Sequence, residues 1–168
     1  NFLVNFVFIC LIILGGLGWR VIDDIWNNRK SLSYKKLSLH SKLVLRTTFN
    51  LIIFGSLSFL ITESLLNGQF FSGLNFGERI LASLFETVSA RTAGFTNYQI
   101  SLNTISDTGI LLLMTLMFIG ASTGGTGGGI KTTTFIALMA ATRSTLRGQK
   151  DVIISNRLIS DKVILKAV

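Results

Sequence analysis

Two short stretches hold the residue types that could do chemistry. Residues 120–134 read GASTGGTGGGIKTTT and residues 89–96 read SARTAGFT. The first places six glycines within 120–131, with small hydroxyls and one lysine, Lys131. Such a mixture suits a loop that wraps phosphate, but that chemistry needs the lysine directly after the last glycine, as in G-x-x-x-x-G-K-[ST]. Here Ile130 separates Gly129 from Lys131, so the lysine is aimed elsewhere. No apolar strand ending in Asp follows to hold a magnesium ion, and nucleotide binding is kept only as the alternative reading. The other reading is a break inside a membrane helix. The second stretch centres on Gly94, flanked by Thr92, Ala93, Phe95 and Thr96. Its chemistry would be that of backbone carbonyls, which can replace the water around a dehydrated cation.

The surrounding elements decide between these readings. The 168 residues are 49% hydrophobic and only 14% charged, with mean hydropathy +0.58. Soluble domains carry about 25% charged residues, so a membrane protein is the leading class. The net charge of +8 lies in blocks outside the apolar stretches. That arrangement fits cytoplasmic loops beside anionic lipid, whereas a nucleic-acid surface would interleave its bases with the fold. No nucleic-acid partner is expected. The chain opens inside an apolar run without a charged leader, and is read as a piece of a longer protein. The single cysteine, Cys10, excludes an internal disulfide or a cysteine metal cluster.

Residues 1–19 are read as one transmembrane helix. A basic cytoplasmic loop, 20–42, follows, and 43–62 has about the 20 residues needed to cross a bilayer core. His40 is expected to be a solvated loop residue. Residues 63–107 hold only Arg79 and Arg91 as bases against Glu63, Glu78, Glu86 and Asp107, which suits the external side. Within them, 77–90 has apolar residues at helical spacing but rises only about 20 Å, so a re-entrant half-helix is predicted. The segment 108–142 is an apolar helix broken at 120–131, and 143–168 is again basic and cytoplasmic.

A half-helix that dips in from outside must be followed by backbone returning through membrane depth. Non-helical backbone survives there only when buried in protein or lining a water-filled path. Helix, half-helix, TAGFT, helix is therefore the layout of a potassium-channel pore unit, whose filter reads TVGYG. An external loop with a glycine turn is the plain alternative. The break at 120–131 fits on length too: 108–119 and 132–142 rise about 18 and 16 Å as helices, which together just cross a core of about 30 Å. The intervening loop is surplus length near the midplane. Lys131 costs about 2.5–3.5 kcal/mol at membrane depth on insertion scales. It is read as an electrostatic barrier or a partner of acidic groups, with Thr132 and Thr133 as hydroxyl partners, or else as snorkelling to the interface.

SARTAGF (89–95) and GASTGGTGGGIKT (120–132) together resemble the Trk/Ktr/HKT superfamily of potassium transporters, most closely the bacterial Ktr/Trk membrane subunit. The resemblance covers essentially the whole chain. It implies an all-α membrane protein built from helix–pore loop–helix repeats with a broken inner helix, in a multi-pass chain of the cell membrane. On that basis 1–19 is the inner helix of one repeat and 43–142 the next repeat. Thr92, Ala93, Gly94 and Phe95 become the potassium selectivity filter, within 91–97, with Arg91 and Thr96 as its support. Gly120, Ala121, Ser122, Thr123, Gly124, Gly125, Thr126, Gly127, Gly128 and Gly129 become the gating loop, with Lys131 as its electrostatic partner. The resemblance implies potassium translocation without covalent chemistry, no cofactor, and K⁺ or Na⁺ as the only transported or coupling ion. It also implies as partners the rest of a four-repeat chain, a second copy in a homodimer, membrane lipid and a cytosolic nucleotide-binding regulatory ring. Two rival functions stay open: a membrane-embedded enzyme, for which Glu86 is the only acid in a candidate buried helix, and a purely structural subunit.

Overall fold

In the computed structural model, residues 2–29, 36–66, 69–96, 104–148, 152–154 and 157–159 are described. Helix α1 covers Phe2–Leu17 and α2 covers Trp19–Asn27. The two meet at Gly18, φ +83°, and are bent by 95°. Such a φ is open to glycine and costly for residues with a Cβ. The sequence reading placed the loop at 20–42; its first residues are instead helical, because Val21, Ile22, Ile25 and Trp26 supply helical spacing once the chain has turned. Val21 is buried on Val44 and Leu17, whereas Trp19 and Trp26 are exposed. Residues 30–35, including Lys30 and Lys35, lie outside the described residues.

Helix α3, Leu39–Leu65, has 27 residues and a mean hydropathy of 1.7 over its most apolar window. At 1.5 Å per residue it is about 40 Å long, enough to cross a bilayer core of about 30 Å. It begins at Ser38, whose side chain accepts from the Ser41 N–H. His40 is in its first turn, half-buried, and is not a loop residue: the helix starts before the apolar run that marks the span.

Helix α4, Phe76–Ala90, has 15 residues and begins with the Glu78 carboxylate accepting the Asn75 N–H at 3.0 Å. It packs between α1, α3 and α5, so most of its second half is buried. Leu81, Phe85 and Val88 meet Ile9 of α1, while Ala82 and Ala90 face Phe59, Leu113 and Leu116. A 3₁₀ turn at Gln69–Phe71 brings Phe70 and Phe71 edge-on to Phe59. Gly55 lets α3 approach: a Cβ there would stand 2.7 Å from Thr87 Cγ2 and 3.1 Å from Leu116 Cδ1.

Helices α5, Asp107–Phe118, and α6, Thr132–Leu146, flank the glycine-rich loop. The start of α5 is fixed to the end of α3. Ser106 donates from Oγ and N to Glu63 Oε1, at 2.6 and 3.1 Å, and its Oγ caps the Gly109 N–H. Glu63, assigned to an external loop by charge alone, is thus a buried carboxylate at a helix N-terminus, where the dipole favours it. The helical core is joined after α6 by a two-stranded antiparallel ladder, β1 (Val152–Ile154) and β2 (Arg157–Ile159), with Ile153 opposite Leu158. The rest of the basic tail, 143–168, is described only as far as Gly148 and in these strands.

Candidate functional site: a loop beneath a reversed chain

Helix α4 ends at Ala90, and the chain reverses over Arg91–Thr96. The N–H groups of Ala93 and Gly94 both return to Ser89 O, at 3.0 and 3.3 Å, and that of Thr92 to Ala90 O at 2.7 Å. Thr92 and Gly94 have φ of +72° and +73°, with Ala93 between them in an ordinary conformation. Among the described residues, no backbone N–H is donated to the carbonyls of Thr92, Ala93 or Gly94. Phe95 O accepts from Ser89 Oγ, which ties the end of the reversal to the helix. The Phe95 ring packs on Phe8 of α1 at 5.5 Å. Thr96 lines a small cavity of about 100 Å³ with Val4, Phe8 and Phe85. Residue 97 lies outside the described residues.

The glycine-rich loop is closed at its neck. Ile119 and Ile130 form a parallel bridge, with Ile130 N donating to Phe118 O at 3.0 Å and Gly120 N to Ile130 O at 3.1 Å. A Cβ on Gly120 would overlap Gly128 O, so glycine is required for that crossing. Inside the neck, hydroxyls replace apolar contacts. Thr132 Oγ1 donates to Ser122 Oγ at 3.1 Å, and the Thr123 and Thr133 hydroxyls are 2.6 Å apart. Lys131 Nζ donates to Gly127 O at 2.6 Å.

Among the described residues, the Lys131 amine is bonded within the loop, to the Gly127 carbonyl, and to no carboxylate. Thr132 and Thr133 are partners of Ser122 and Thr123, not of Lys131, because Lys131 precedes α6 while the threonines already belong to its first turn.

The structure brings the two stretches together. A Cβ on Gly127 would overlap Thr92 Oγ1, and Arg91 Nη2 donates to Gly120 O at 3.1 Å. Arg91, expected as a support of the reversal, is bonded through its side chain to the loop. Between them lies a cavity of about 380 Å³ lined by Arg91, Thr92, Ala93 and Phe95 on one side and Ala121, Thr126 and Gly127 on the other. Phe8, Leu11, Ile12, Gly15 and Gly16 of α1 close its flank. The sequence reading of 1–19 as a transmembrane helix gave no sign of this wall, because no residue type ties Gly15 and Gly16 to the loop. Glu86 is buried on α4 with Oε1 unpartnered among the described residues. The arrangement presents backbone carbonyls and a cavity of about 380 Å³. Among the described residues, no group of three or more His, Cys, Asp or Glu is placed to hold a metal ion.

Comparison with known proteins gives the family of the chain. A family model described as TrkH, cation transport protein, matches residues 1–168. The chain is 37% identical over 164 residues to the Ktr system potassium uptake protein B of Bacillus subtilis, covering 98% of this chain and 36% of that protein. It is 40% identical over 160 residues to the potassium/sodium uptake protein NtpJ of Enterococcus hirae, covering 94% and 33%. These relatives are named as uptake proteins rather than enzymes. The crystal structure of the potassium transporter TrkH from Vibrio parahaemolyticus superposes with a TM-score of 0.77 at 15% identity, over 99% of this chain and 35% of that one. It shares the helix–pore loop–helix membrane fold. The chain spans about a third of the length of the relatives it matches.

Proposed function

Because the chain belongs to the TrkH family of cation transport proteins, we propose that it supplies one pore repeat and part of the preceding one to a potassium-translocating membrane protein. Four such repeats would surround one path. In this repeat the carbonyls of Thr92, Ala93, Gly94 and Phe95 replace the water of a K⁺ ion, and the loop 120–129 beneath them is the gate. The observation that carries the reading is the juxtaposition of the two stretches: alternating φ at Thr92 and Gly94 leaves carbonyls without backbone donors directly above a loop that meets Thr92 at Gly127. Desolvating a cation needs carbonyl dipoles at close quarters, and the negative end of the α4 dipole adds to the attraction. A gate needs conformations close in energy, and a glycine-rich loop held by a few hydrogen bonds provides them.

Potassium and sodium remain the two candidate ions, since one relative carries both in its name. The test is rubidium flux into liposomes holding the complete protein, with Gly94→Ser and a deletion of 124–128 beside the parent. The reading expects changed selectivity in the first and raised flux in the second. Unchanged K⁺/Na⁺ discrimination in Gly94→Ser counts against the filter assignment.

Assembly as a homodimer and regulation by a cytosolic nucleotide-binding ring belong to the same proposal. Lys36, Arg143 and Arg147 are exposed basic residues on the side of the chain assigned to the cytoplasm, and Lys35 adjoins Lys36 in sequence. Neutralising these four is expected to weaken regulator binding, measured by co-purification.

A further inference from the structure

The glycine-rich loop is anchored to an element more than a hundred residues earlier in the chain. Ser122 N donates to Gly16 O at 3.0 Å, Thr126 N to Gly15 O at 3.2 Å, and Trp19 N to Gly124 O at 3.4 Å. Both acceptors are in the last turn of α1, where carbonyls lack partners within the helix. The donor on the other side is the first N–H of α2, which is likewise an orphan. The 95° bend at Gly18 turns these two helix ends toward the same loop.

The close approach depends on glycine on both sides. A Cβ at Gly18 would stand 2.9 Å from Gly124 C and Gly125 N, at a φ of +83° that already disfavours one. A Cβ at Gly125 would stand 2.7 Å from Gly16 O. The Trp19 indole covers the far side, 3.3 Å from a Cβ placed on Gly124. Backbone is thus packed on backbone, and three of the hydrogen bonds that hold the loop join it to the α1–α2 elbow.

We propose that the α1–α2 elbow is the seat that positions the gating loop: the loop rests on the Gly15 and Gly16 carbonyls and the Trp19 N–H when closed, and leaves them when the path opens. The proposal rests on reading the loop as a gate. It assigns Gly15, Gly16, Gly18 and Trp19 as positioning residues that do not themselves touch the ion. It also gives α2 a role: any displacement of this short helix moves the Trp19 N–H and loosens the loop, so an event at the cytoplasmic face can reach the gate through the Trp19–Gly124 hydrogen bond.

The test uses the complete protein, free of native cysteines, in liposomes with rubidium flux as readout. A Cβ added at Gly15 stands 3.4 Å from Thr126 Oγ1, close enough for Gly15→Cys with Thr126→Cys to form an S–S bond of about 2 Å. Oxidation of the double variant is expected to form the cross-link, confirmed by mass, and to lower flux about tenfold, a normal size for coupling between sites. A reductant restores it, and neither single variant responds to oxidant. Gly18→Ala is expected to raise flux in the absence of regulator without altering K⁺/Na⁺ discrimination. A cross-link that does not form, or one that forms and leaves flux unchanged, overturns the seat, whether or not Gly18→Ala folds. The deletion of 124–128 separates the two layers. If it raises flux while the cross-link has no effect, the gate stands and the seat falls. If it leaves flux unchanged, the gate reading falls and takes the seat with it.

Discussion

Thr92 and Gly94 share a left-handed backbone but not its cost. Gly94 adopts φ +73° freely, whereas Thr92, at φ +72°, is a β-branched residue held in a region that costs about 1–3 kcal/mol. The surroundings hold it there through the Thr92 N–H bond to Ala90 O and the contact of its side chain with Gly127. Gly94→Ser adds a side chain where φ is positive and is expected to weaken K⁺/Na⁺ discrimination in flux assays. Lys131 belongs to the same scale. Its bond to Gly127 O braces the loop from within, and hydrogen bonds from a charged donor are worth about 1.5–3 kcal/mol. Lys131→Gln is therefore expected to raise regulator-independent rubidium flux several-fold, with Lys131→Arg partly restoring closure. Flux and gating untouched by Lys131→Gln would mean that the brace has no part in closure.

Between elements, two contacts decide where the helices that carry the site stand. Glu63 accepts both the N–H and the hydroxyl of Ser106 and fixes the first turn of α5 to the last turn of α3. Glu63→Gln removes the charge from both bonds and is expected to cost about 1.5–3 kcal/mol, seen as a lower thermal unfolding temperature in detergent. Gly55→Val tests the α3–α4–α5 crossing. Its side chain would press on Thr87 and Leu116, and overpacking of this kind costs about 1–3 kcal/mol. Beside the buried Val21–Val44 contact, a polar contact at the surface ties α2 to α3. Asp24 accepts the Ser38 N–H at 2.9 Å, and hydrogen bonds from Ser41 foremost, then from Ser38 and Asn28, hold its carboxyl below the ordinary 3.8. A carboxylate depressed in the folded state stabilises above its unfolded value and loses that contribution as pH falls through the lower folded one. The α2–α3 tie is thus expected to be independent of pH at neutrality and to loosen only in acid below about 4, which hydrogen exchange of the Ser38 amide would report.

At the scale of the molecule, the chain presents one quarter of a four-fold arrangement under the proposed function. Its exposed α1 and α3 surfaces, with Phe2, Leu3, Phe49 and Phe54 among them, are more apolar than water tolerates in such extent. They suit lipid and the remaining repeats. The described segment alone is expected to give no rubidium flux in liposomes, whereas the complete protein conducts. Flux from the segment by itself would mean that one repeat assembles a path with copies of itself.

The sequence alone determined the class of protein and its family. Apolar runs separated by basic blocks carry the bilayer's demands on the solvent-facing residues, and a half-helix too short to cross follows from counting residues against thickness. The break at 120–131 was equally legible, because glycine density reports backbone freedom directly. Only the tertiary structure showed which carbonyls the loop meets and that the Lys131 amine donates to Gly127 O. The loop's contacts are distant along the chain: Gly15 and Gly16 carbonyls meet Ser122 and Thr126, and Arg91 reaches Gly120. Main-chain donors and acceptors are the same at every residue, so no residue type marks them in advance. His40 and the start of α2 were misread for a related reason: charge and polarity announce solvent, but a helix begins wherever a cap and one apolar face can be satisfied, as at Ser38 and Val21.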